Sequence, residues 1–380
     1  MEKIMALVAA VGAGFSSCNQ RLEIATGTEQ GHYQHEKILE DRDVIWGMDF
    51  LDKDQLLFTE RKGALNLFSL SKKNVTPIVG IPQVIEGGQG GLLDVRVLPS
   101  QNELPWIYLS YSAQLENGTY TTRILRGHIK QHRFQDEQIL FTALPGQTTM
   151  HHYGSRIVFD DEGHFFFGVG DRGQRDLAQD LSVHMGKIFR LNLDGSVPKD
   201  NPFVRTPKAQ PEIWSYGHRN PQGLFFDRVT HILWEQEHGP RGGDEINIIQ
   251  RGKNYGWPQI TYGREYHGPK INGGAYEGPG MEQPEYYYVP SIAPCGLLVY
   301  EGSMFPQWKG SIFSGALAHQ HLNRLHKDAQ GMYKEDRMFS DLSKRVRNVI
   351  EGPDGEIYFS TDDGILYRIT AKGSTQKNQS

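Results

Sequence analysis

Short runs of apolar, β-branched and aromatic residues recur along the chain, and a turn joins each run to a second one. Residues 223–226 and 232–234 form one such pair, and their length and composition predict two adjacent strands. The pattern occurs six times, with first runs that begin at Trp46, Gly91, Arg156, Gly223, Gly296 and Val349. These starts lie roughly 45 to 75 residues apart, around and above the repeat lengths of propellers. We therefore predict an all-β fold, a six-bladed β-propeller of four-stranded antiparallel sheets. A β-sandwich is the alternative, but it does not account for six repeats.

The polar residues of the fourth repeat stand at one end of its predicted strands. Arg219 and Asn220 precede the first strand, and Gly239 and Pro240 follow the second. In an antiparallel pair, the start of one strand and the end of its neighbour lie at the same edge of the sheet, so these residues are expected to meet. Corresponding positions in the other repeats hold Gln89, His152, Asp171, Arg345 and Arg347. The opposite loops are mostly plain turns, which indicates a polar pocket on one face around the propeller axis.

The N-terminal residues have the pattern of an export signal. Lys3 precedes an apolar run over residues 4–15, and two serines and Cys18 follow. This pattern is typical of a secretory signal peptide or a lipoprotein leader. We expect export to the periplasm, with a lipid anchor at Cys18 in the lipoprotein case. The expected organisation is a leader at 1–18, a flexible tether at 19–34, a propeller domain at 35–371 and a disordered tail at 372–380. Residues 33–40 are expected to add an outer strand that closes the ring.

The composition excludes several classes of partner. The chain has 380 residues, a net charge of -5 and 38% hydrophobic residues, which is ordinary for a globular protein. It has no long Lys/Arg run, so nucleic acid is not an expected partner. No Gly-x-Gly-x-x-Gly motif follows a strand and opens a helix, so a Rossmann-type dinucleotide site is not expected either. The second cysteine, Cys295, is expected to be a small buried side chain.

His152 and Asp171 form a candidate acid–base pair. An imidazole changes charge near physiological pH, which suits a general base. A neighbouring carboxylate would hold the imidazole in one tautomer. The alternatives are a surface histidine and a turn carboxylate. Arg219, Arg345 and Arg347 approach the same pocket, and several guanidiniums that face one cavity favour a polyanionic guest. Salt bridges at the rim are the alternative for these arginines.

Gly239 and Pro240 are candidate ligands of a metal ion. Their side chains offer little chemistry, but their carbonyl oxygens could face a hard cation such as Ca²⁺. Asp244 and Glu245 could hold a second, structural ion, and a charged turn is the alternative. Zn²⁺ is less favoured because no histidine pair has helical i,i+4 spacing. An acidic guest that is held by arginines and shares a Ca²⁺ ion favours an anionic cofactor.

Several longer motifs occur in order along the chain: His-Tyr-Gly-Ser-Arg at 152–156, Gly-His-Arg-Asn-Pro-Gln-Gly at 217–223, Glu-His-Gly-Pro at 237–240 and Gly-Lys-Asn-Tyr-Gly-Trp-Pro at 252–258. They resemble the soluble PQQ-dependent sugar dehydrogenases, and especially the bacterial aldose sugar dehydrogenase branch. The similarity extends from about Val44 to Ile369. It implies a six-bladed propeller that oxidises the anomeric carbon of aldoses to lactones with pyrroloquinoline quinone (PQQ) and Ca²⁺.

The resemblance implies a role for each candidate residue. His152 would take the proton of the sugar's C1 hydroxyl as hydride passes to the quinone, Asp171 would orient His152, and Arg219 would polarise a quinone carbonyl. The implied cofactor ligands are Gln89, His152, Arg219, Asn220, Arg345 and Arg347. The implied metal ligands are the carbonyls of Gly239 and Pro240 for the catalytic Ca²⁺ and, for a structural calcium, Asp244, Glu245 and Tyr255.

The chain departs from the resembled family at two places. Ala318 stands where some members have a cofactor-binding lysine, and His319 or His321 is expected to substitute in part. The tyrosines at 286–288 stand where the glucose enzymes have a tryptophan-rich sugar platform, so the sequence does not fix the preferred sugar.

Two other functions are consistent with a propeller. A non-catalytic propeller would bind a protein or a glycan and show no redox activity. A Ca²⁺-dependent lactone hydrolase would need acidic side chains on the central metal, where this sequence offers mainly carbonyls and arginines. For the dehydrogenase, the expected partners are an aldose substrate and an unidentified electron acceptor, and the expected assembly is a monomer or a dimer.

Overall fold

Six four-stranded antiparallel sheets account for almost all regular structure in the computed structural model, which describes residues 32–100 and 103–373. The sheets form a six-bladed β-propeller, which confirms the predicted fold class. In five blades the four strands follow chain order across the sheet. The first strands of neighbouring blades contact one another in a closed ring, so they surround a common axis.

The described part of the chain begins with β1 (Tyr33–Leu39), which belongs to blade 6. Blade 1 consists of β2 (Ile45–Phe50), β3 (Gln55–Glu60), β4 (Ala64–Ser69) and β5 (Asn74–Ile78). Blade 2 consists of β6 (Leu92–Leu98), β7 (Trp106–Gln114), β8 (Tyr120–Lys130) and β9 (Arg133–Thr142). Blade 3 consists of β10 (Ile157–Phe159), β11 (His164–Val169), β12 (Lys187–Asn192) and β13 (Ile213–Tyr216).

The remaining three blades have the same organisation. Blade 4 consists of β14 (Pro221–Asp227), β15 (Ile232–Glu237), β16 (Asp244–Ile249) and β17 (Tyr286–Tyr288). Blade 5 consists of β18 (Pro294–Val299), β19 (Ile312–Ala316), β20 (His321–Lys327) and β21 (Tyr333–Met338). Blade 6 consists of β22 (Val346–Glu351), β23 (Ile357–Thr361), β24 (Leu366–Ala371) and the N-terminal β1.

Short 3₁₀ helices are the only helices in residues 32–100 and 103–373. They lie at Arg175–Gln179, Ile271–Gly274, Pro306–Trp308 and Ser340–Leu342. None of these helical segments is long and apolar enough to cross a bilayer.

The N-terminal strand closes the propeller ring. β1 pairs antiparallel with β24, with Tyr33 opposite Ala371. This confirms the outer strand expected at residues 33–40, and it means that the last two residues of the expected tether already belong to a strand. The expected leader, residues 19–31 of the tether and residues 374–380 of the expected tail lie outside the described residues.

The hydrophobic core lies between neighbouring blades. One cluster joins Tyr108 of blade 2 to Phe165, Phe167 and Phe189 of blade 3. The rings of Phe165 and Phe167 stack with centroids 5.4 Å apart, and those of Phe167 and Phe189 with centroids 5.1 Å apart. Each strand between two such clusters is buried on both faces, which is why the first two strands of a blade read as continuous apolar runs.

Arg156 ties the six first strands together at the axis. It immediately precedes β10, the first strand of blade 3. Its buried guanidinium bonds to one residue from the first strand of each other blade: the Trp46 carbonyl (3.1 Å), the Asp94 carboxylate (3.1 Å), the Gln222 carbonyl (3.1 Å), the Cys295 sulfur (3.6 Å) and the Arg347 carbonyl (3.0 Å). This arrangement fixes the inner strands relative to one another beneath the predicted site.

Candidate active site

A cavity of about 300 Å³ lies at the end of the axis where the first strands begin and the second strands end. Its lining includes Arg61, Gln89, Asn220, His238, Arg345 and Arg347. Five of the six first strands also have a register shift near this end, in β2, β6, β14, β18 and β22. Such β-bulges re-aim side chains and often occur beside functional sites. The polar pocket predicted on one face is therefore present.

His152 and Asp171 form a close pair beside this cavity. His152 Nδ1 lies 2.6 Å from Asp171 Oδ1, and the His152 amide donates to Oε1 of the lining residue Gln89 at 2.8 Å. Because Nδ1–H donates to the carboxylate, Nε2 carries the lone pair. No described residue forms a hydrogen bond with Nε2. His152 also has a left-handed backbone, with a φ of 54°, which is a strained conformation of the kind that collects at active sites.

The electrostatics of the pair keep the imidazole neutral and the carboxyl ionised. Burial, together with the charge of Arg219, lowers the pKa of His152, although the hydrogen bond to Asp171 acts in the opposite direction. Burial also acts on Asp171, but the hydrogen bond from His152 and the charge of Arg219 hold the pKa of Asp171 below its usual value. A neutral imidazole backed by a carboxylate can accept a proton through Nε2.

Arg172 fixes the loop that carries His152. The Arg172 side chain is buried, and its guanidinium lies 3.8 Å above the Tyr153 ring. Its Nε donates to the His151 carbonyl at 2.8 Å and its Nη2 to the Thr149 carbonyl at 2.6 Å. One side chain therefore holds the backbone that precedes His152 and packs on the ring of the residue that follows it.

Glu237 fixes the turn that presents Arg219 and Asn220. Its Oε2 accepts the backbone N–H groups of both residues. Arg219 Nη1 then donates to the carbonyls of His238 and Gly239, each at 2.9 Å. The structure thus brings the start of β14 and the end of β15 together, as the sequence predicted.

The side chain of Asn220 offers an unused donor. Its Oδ1 accepts from Gln222 Nε2 at 3.2 Å and from the Gly154 amide at 3.4 Å, which fixes the orientation of the amide. Its buried Nδ2 has no hydrogen-bond partner among the described residues. Since buried donors are nearly always paired in native proteins, this group suits an acceptor on a ligand.

The cavity lining carries more positive than negative charge. Arg345 and Arg347 both bond to Asp362, with Nε–Oδ distances of 2.8 and 2.7 Å. Among the described residues, Asp362 is the only carboxylate that lines this cavity, and Arg61 adds a third guanidinium. His238 adds no charge, because burial and the charge of Arg219 lower its pKa to about 3. The site therefore suits an anionic ligand.

The carbonyls of Gly239 and Pro240 face different partners in the protein. Gly239 O accepts from Arg219, and Pro240 O accepts from Ser291 Oγ at 3.2 Å. Asp244 supports this loop, since its Oδ1 accepts the Gly239 amide at 2.9 Å. Burial raises the pKa of Asp244 to about 6. Each carbonyl oxygen retains a second lone pair that could reach a cation.

Glu245 belongs to a second cluster, together with Glu235 and Asn247. Asn247 Nδ2 donates to Glu235 Oε2 at 3.0 Å and to Glu245 Oε2 at 3.4 Å. Glu235 Oε1 and Asn247 Oδ1 are buried acceptors to which no residue of the described chain donates. Burial and the charge of Glu237 raise the pKa of both Glu235 and Glu245 well above the usual value. A group of buried acceptors with no cationic partner suits a bound cation.

The ligand set expected for a structural calcium therefore changes. Asp244 and Glu245 are neighbours in β16, and successive residues of a strand point to opposite faces. Asp244 serves the Gly239 loop, while Glu245 joins the cluster described above. The Tyr255 hydroxyl is also engaged, because it donates to the Ile248 carbonyl at 2.5 Å and accepts the Gln250 amide at 2.8 Å.

Two groups of residues that the sequence placed near the site do not line the cavity. Tyr286 and Tyr288 are buried in the core, and β17, which carries them, is the last strand of its sheet. Of the three tyrosines, Tyr287 is exposed, and its ring stacks on Tyr262 at 3.7 Å. Neither His319 nor His321 lines the cavity: His321 is buried, His319 is exposed, and the cavity contacts Leu317 instead.

Sequence reasoning missed four residues of the site. These are Trp46 and Arg61, which line the cavity, Glu237, which accepts the Arg219 amide, and Trp257, which donates to the Asp171 carboxylate. Arg61 follows β3 as Asp362 follows β23, so the position within the repeat could have revealed it. Trp257 lies in the Gly-Trp-Pro part of the 252–258 motif, and its place in that motif could have drawn attention to this residue, although not to its partner.

The family model of Glucose / Sorbosone dehydrogenase matches residues 42–368. The chain belongs to this family. This membership confirms both the resemblance and the expected enzyme class, a dehydrogenase. The chain is 40% identical over 343 residues to the aldose sugar dehydrogenase YliI of Escherichia coli (strain K12), and the match covers 88% of this chain and 92% of that protein.

Solved structures of other members have the same fold. The apo form of the soluble aldose sugar dehydrogenase of Escherichia coli matches with a TM-score of 0.85 and 38% identity, over 89% of this chain and 99% of that chain. The PQQ-bound aldose sugar dehydrogenase of Streptomyces coelicolor matches with a TM-score of 0.73 over 90% of this chain and 98% of that chain. At 23% identity, this second likeness supports the fold alone.

Proposed function

We propose that the protein oxidises aldose sugars at C1 to the corresponding lactones, with PQQ and Ca²⁺ as cofactors. The observation that carries the proposal is the His152–Asp171 pair beside a cavity lined by three guanidiniums and one carboxylate. A base next to surplus positive charge suits a reaction in which a sugar hydroxyl loses a proton beside an anionic electron acceptor.

The cavity suits a planar quinone that carries several carboxylates. Arg345 and Arg347 share the single charge of Asp362, so one positive charge of this group remains for a ligand. The unpaired Nδ2 of Asn220 would donate to a ligand oxygen. The proposed cofactor ligands are Gln89, His152, Arg219, Asn220, Arg345 and Arg347. When it is bound, PQQ supplies the two-electron acceptor for the oxidation.

His152 would act as the general base through Nε2. Its lowered pKa keeps the ring neutral at neutral pH, ready to accept the proton of the C1 hydroxyl. Asp171 holds Nδ1–H, so it keeps the ring in one orientation and stabilises the imidazolium that forms. The guanidinium of Arg219 lies at the loop of Gly239 and Pro240. It would stabilise the negative charge that develops on a bound electron acceptor.

Calcium would occupy two places. The carbonyl oxygens of Gly239 and Pro240 would hold the catalytic ion, which supplies Lewis-acid chemistry when bound. For a structural ion, the described contacts favour Glu235, Glu245 and Asn247. Of the ligands proposed from the sequence, this set retains Glu245. Asp244 supports the neighbouring loop, and the hydroxyl of Tyr255, the third ligand proposed from the sequence, is engaged with the backbone.

Cellular placement and partners belong to the same proposal. The sequence of residues 1–18 supports export to the periplasm and a lipid anchor at Cys18, and these residues lie outside the described part of the chain. The reaction also needs an electron acceptor, which is unidentified. The protein would work as a monomer or a dimer.

The hydrolase alternative lacks support at the cavity. A calcium-dependent lactonase needs carboxylate ligands on its central ion. The one carboxylate that lines the cavity, Asp362, is occupied by two arginines. A non-catalytic propeller that binds a protein or glycan is disfavoured by membership of the dehydrogenase family, and it predicts that neither quinone binding nor dye reduction will occur.

Reconstitution of the purified apoprotein tests the proposed function. Addition of PQQ and Ca²⁺ should give a bound-quinone absorption spectrum and reduction of a redox dye by glucose or another member of an aldose panel. Omission of Ca²⁺ should abolish dye reduction. A wild-type protein that binds no quinone under these conditions would contradict the proposed PQQ-dependent reaction.

Arg345→Ala provides a matched comparison in the same assay. The substitution removes a charged donor from the cavity and should weaken PQQ binding about 10-fold or more, since a hydrogen bond to a charged group contributes roughly 1.5–3 kcal/mol. Arg228→Ala is the control, because Arg228 is an exposed arginine that pairs with Asp161 outside this cavity. Equal PQQ affinity in the two variants would contradict the assignment of Arg345.

A further inference from the structure

We propose that Trp257 is a positioning residue, whose indole N–H holds the Asp171 carboxylate in the orientation that aligns His152 for proton transfer. The inference rests on the proposed function, because it concerns the base of that reaction. Trp257 does not touch the cavity and has no role in the expected set of catalytic or cofactor-binding residues.

The hydrogen bonds of Asp171 leave its carboxylate no freedom to rotate. Trp257 Nε1 donates to Oδ2 at 2.8 Å. The other oxygen, Oδ1, accepts from the Gly173 amide at 2.7 Å and from His152 Nδ1 at 2.6 Å. Among the described residues, Trp257 provides the only donor to Oδ2, and this donor sets the plane of the carboxylate that His152 meets.

The indole ring is itself held by its surroundings. The Trp257 amide donates to the Gly217 carbonyl at 2.9 Å, and the Trp257 carbonyl accepts from Gln179 Nε2 at 2.7 Å. The ring packs against Ala178 and Ile271 in a small cluster of its own. Because three different segments fix Trp257, its N–H is a preorganised donor.

The hydrogen bond from Trp257 to Asp171 also affects the electrostatic environment of His152. The titratable and charged groups that face His152 are Asp171, His151, Arg219 and, through space, His238. Of these, Asp171 is the only anion. The guanidinium of Arg219 also lies 5.4 Å from the centroid of the Trp257 ring. A donor to Asp171 disperses its charge, and its loss would make the carboxylate a stronger acceptor for the imidazolium of His152.

Trp257→Phe removes this donor but keeps an aromatic ring in place. The carboxylate of Asp171 should then turn more freely, and turnover should fall about 10-fold to 100-fold, the range for a hydrogen bond to a charged group. The imidazolium form of His152 should become more favourable, so the pKa of His152 should rise. Because the base works in its neutral form, the acidic limb of the pH–rate profile should move to higher pH.

Two measurements read out this effect. The first is the pH dependence of kcat/KM in the PQQ-loaded enzyme. The second is an NMR titration of the His152 imidazole nitrogens in the full-length apoprotein, with the resonances assigned by their absence in His152→Gln. Trp234→Phe is the matched control: Trp234 is also buried, and its Nε1 has no partner among the described residues. It should leave both readouts unchanged.

A double-mutant cycle separates positioning from a general loss of packing. In an Asp171→Ala background, Trp257→Phe should lower turnover by less than 2-fold, because its partner is already gone. If Trp257→Phe matched Trp234→Phe in both readouts, or lowered turnover equally in the Asp171→Ala background, the inference would be overturned. A shifted His152 titration in a protein that binds no PQQ would support the positioning contact and reject only the proposed function.

Discussion

Individual carboxylates of blade 4 perform separate tasks around the cavity. Glu237 fixes the turn that carries Arg219, and Asp244 fixes the loop of Gly239 and Pro240. Glu235 differs, because one of its oxygens and the Oδ1 atom of Asn247 are buried with no donor in the part of the chain that the structure describes. Unpaired buried acceptors beside other carboxylates destabilise a fold unless a cation joins them.

Calcium is therefore expected to stabilise the protein through Glu235. Wild-type protein should gain about 2.7 kcal/mol of unfolding free energy at a free Ca²⁺ concentration 100 times the Kd. Glu235→Gln should lose most of this gain, whereas Glu116→Gln, which alters an exposed carboxylate, should keep it. Thermal unfolding with Ca²⁺ and with EDTA measures the difference. Equal calcium-dependent shifts in Glu235→Gln and wild type would contradict the site.

For individual residues, the sequence predicted which types gather at the candidate site, but it did not predict which of them contact one another. Arg219 and Gly239 could be brought together from strand order alone. Asp244 and Glu245 are adjacent in sequence and suggested one ion site, but the alternation of a strand sends them to different partners. The contact between Trp257 and Asp171 spans 86 residues, so no local pattern could reveal it.

Among the secondary-structure elements, the first strand of each blade does most to shape the site. The bulges near the start of five first strands turn the residues beside them toward the cavity. In β18, the shift falls between Cys295 and Leu297, so Gly296 is the extra residue. It has a φ of 67°, and a Cβ there would lie 2.6 Å from Asn348 Oδ1 in the neighbouring blade.

Gly296→Ala should therefore be strongly destabilising. A left-handed backbone costs a non-glycine residue about 1–3 kcal/mol, and the contact with Asn348 adds to this cost. The matched control is Gly310→Ala: Gly310 has a φ of 75°, but a Cβ there would have nothing within 4 Å. Urea denaturation should give a lower unfolding free energy for Gly296→Ala than for Gly310→Ala. Equal losses of unfolding free energy in the two variants would show that the close approach of β18 and β22 does not restrict the side chain at residue 296.

The sequence predicted inner strands better than outer ones. β3 and β11 are buried along most of their length, and their apolar runs identified them. The outer β5 is mostly accessible, so burial imposes little pattern on it. Bulges escaped prediction for another reason: the extra residue is defined by its pairing with a second strand, which the linear pattern does not contain.

The whole molecule gathers its unusual chemistry at one end of the axis. The ring of first strands, tied together by Arg156, supports residues from several blades that are far apart in the chain. His152 lies before the first strand of blade 3, Arg219 before that of blade 4, and Arg345 and Arg347 at the start of that of blade 6. Because these residues meet at one end of the axis, the proposed cofactor site and the proposed proton acceptor would lie in one place.

His152→Ala most directly tests whether the cofactor site and the base act together. Both PQQ affinity, from spectral titration, and turnover with an aldose should be measured on the same preparation, and the variant should unfold at a temperature close to that of wild type. Loss of the general base should lower turnover about 10²–10⁴-fold while PQQ remains bound. A His152→Ala enzyme that binds PQQ and keeps full turnover would contradict the proposed mechanism.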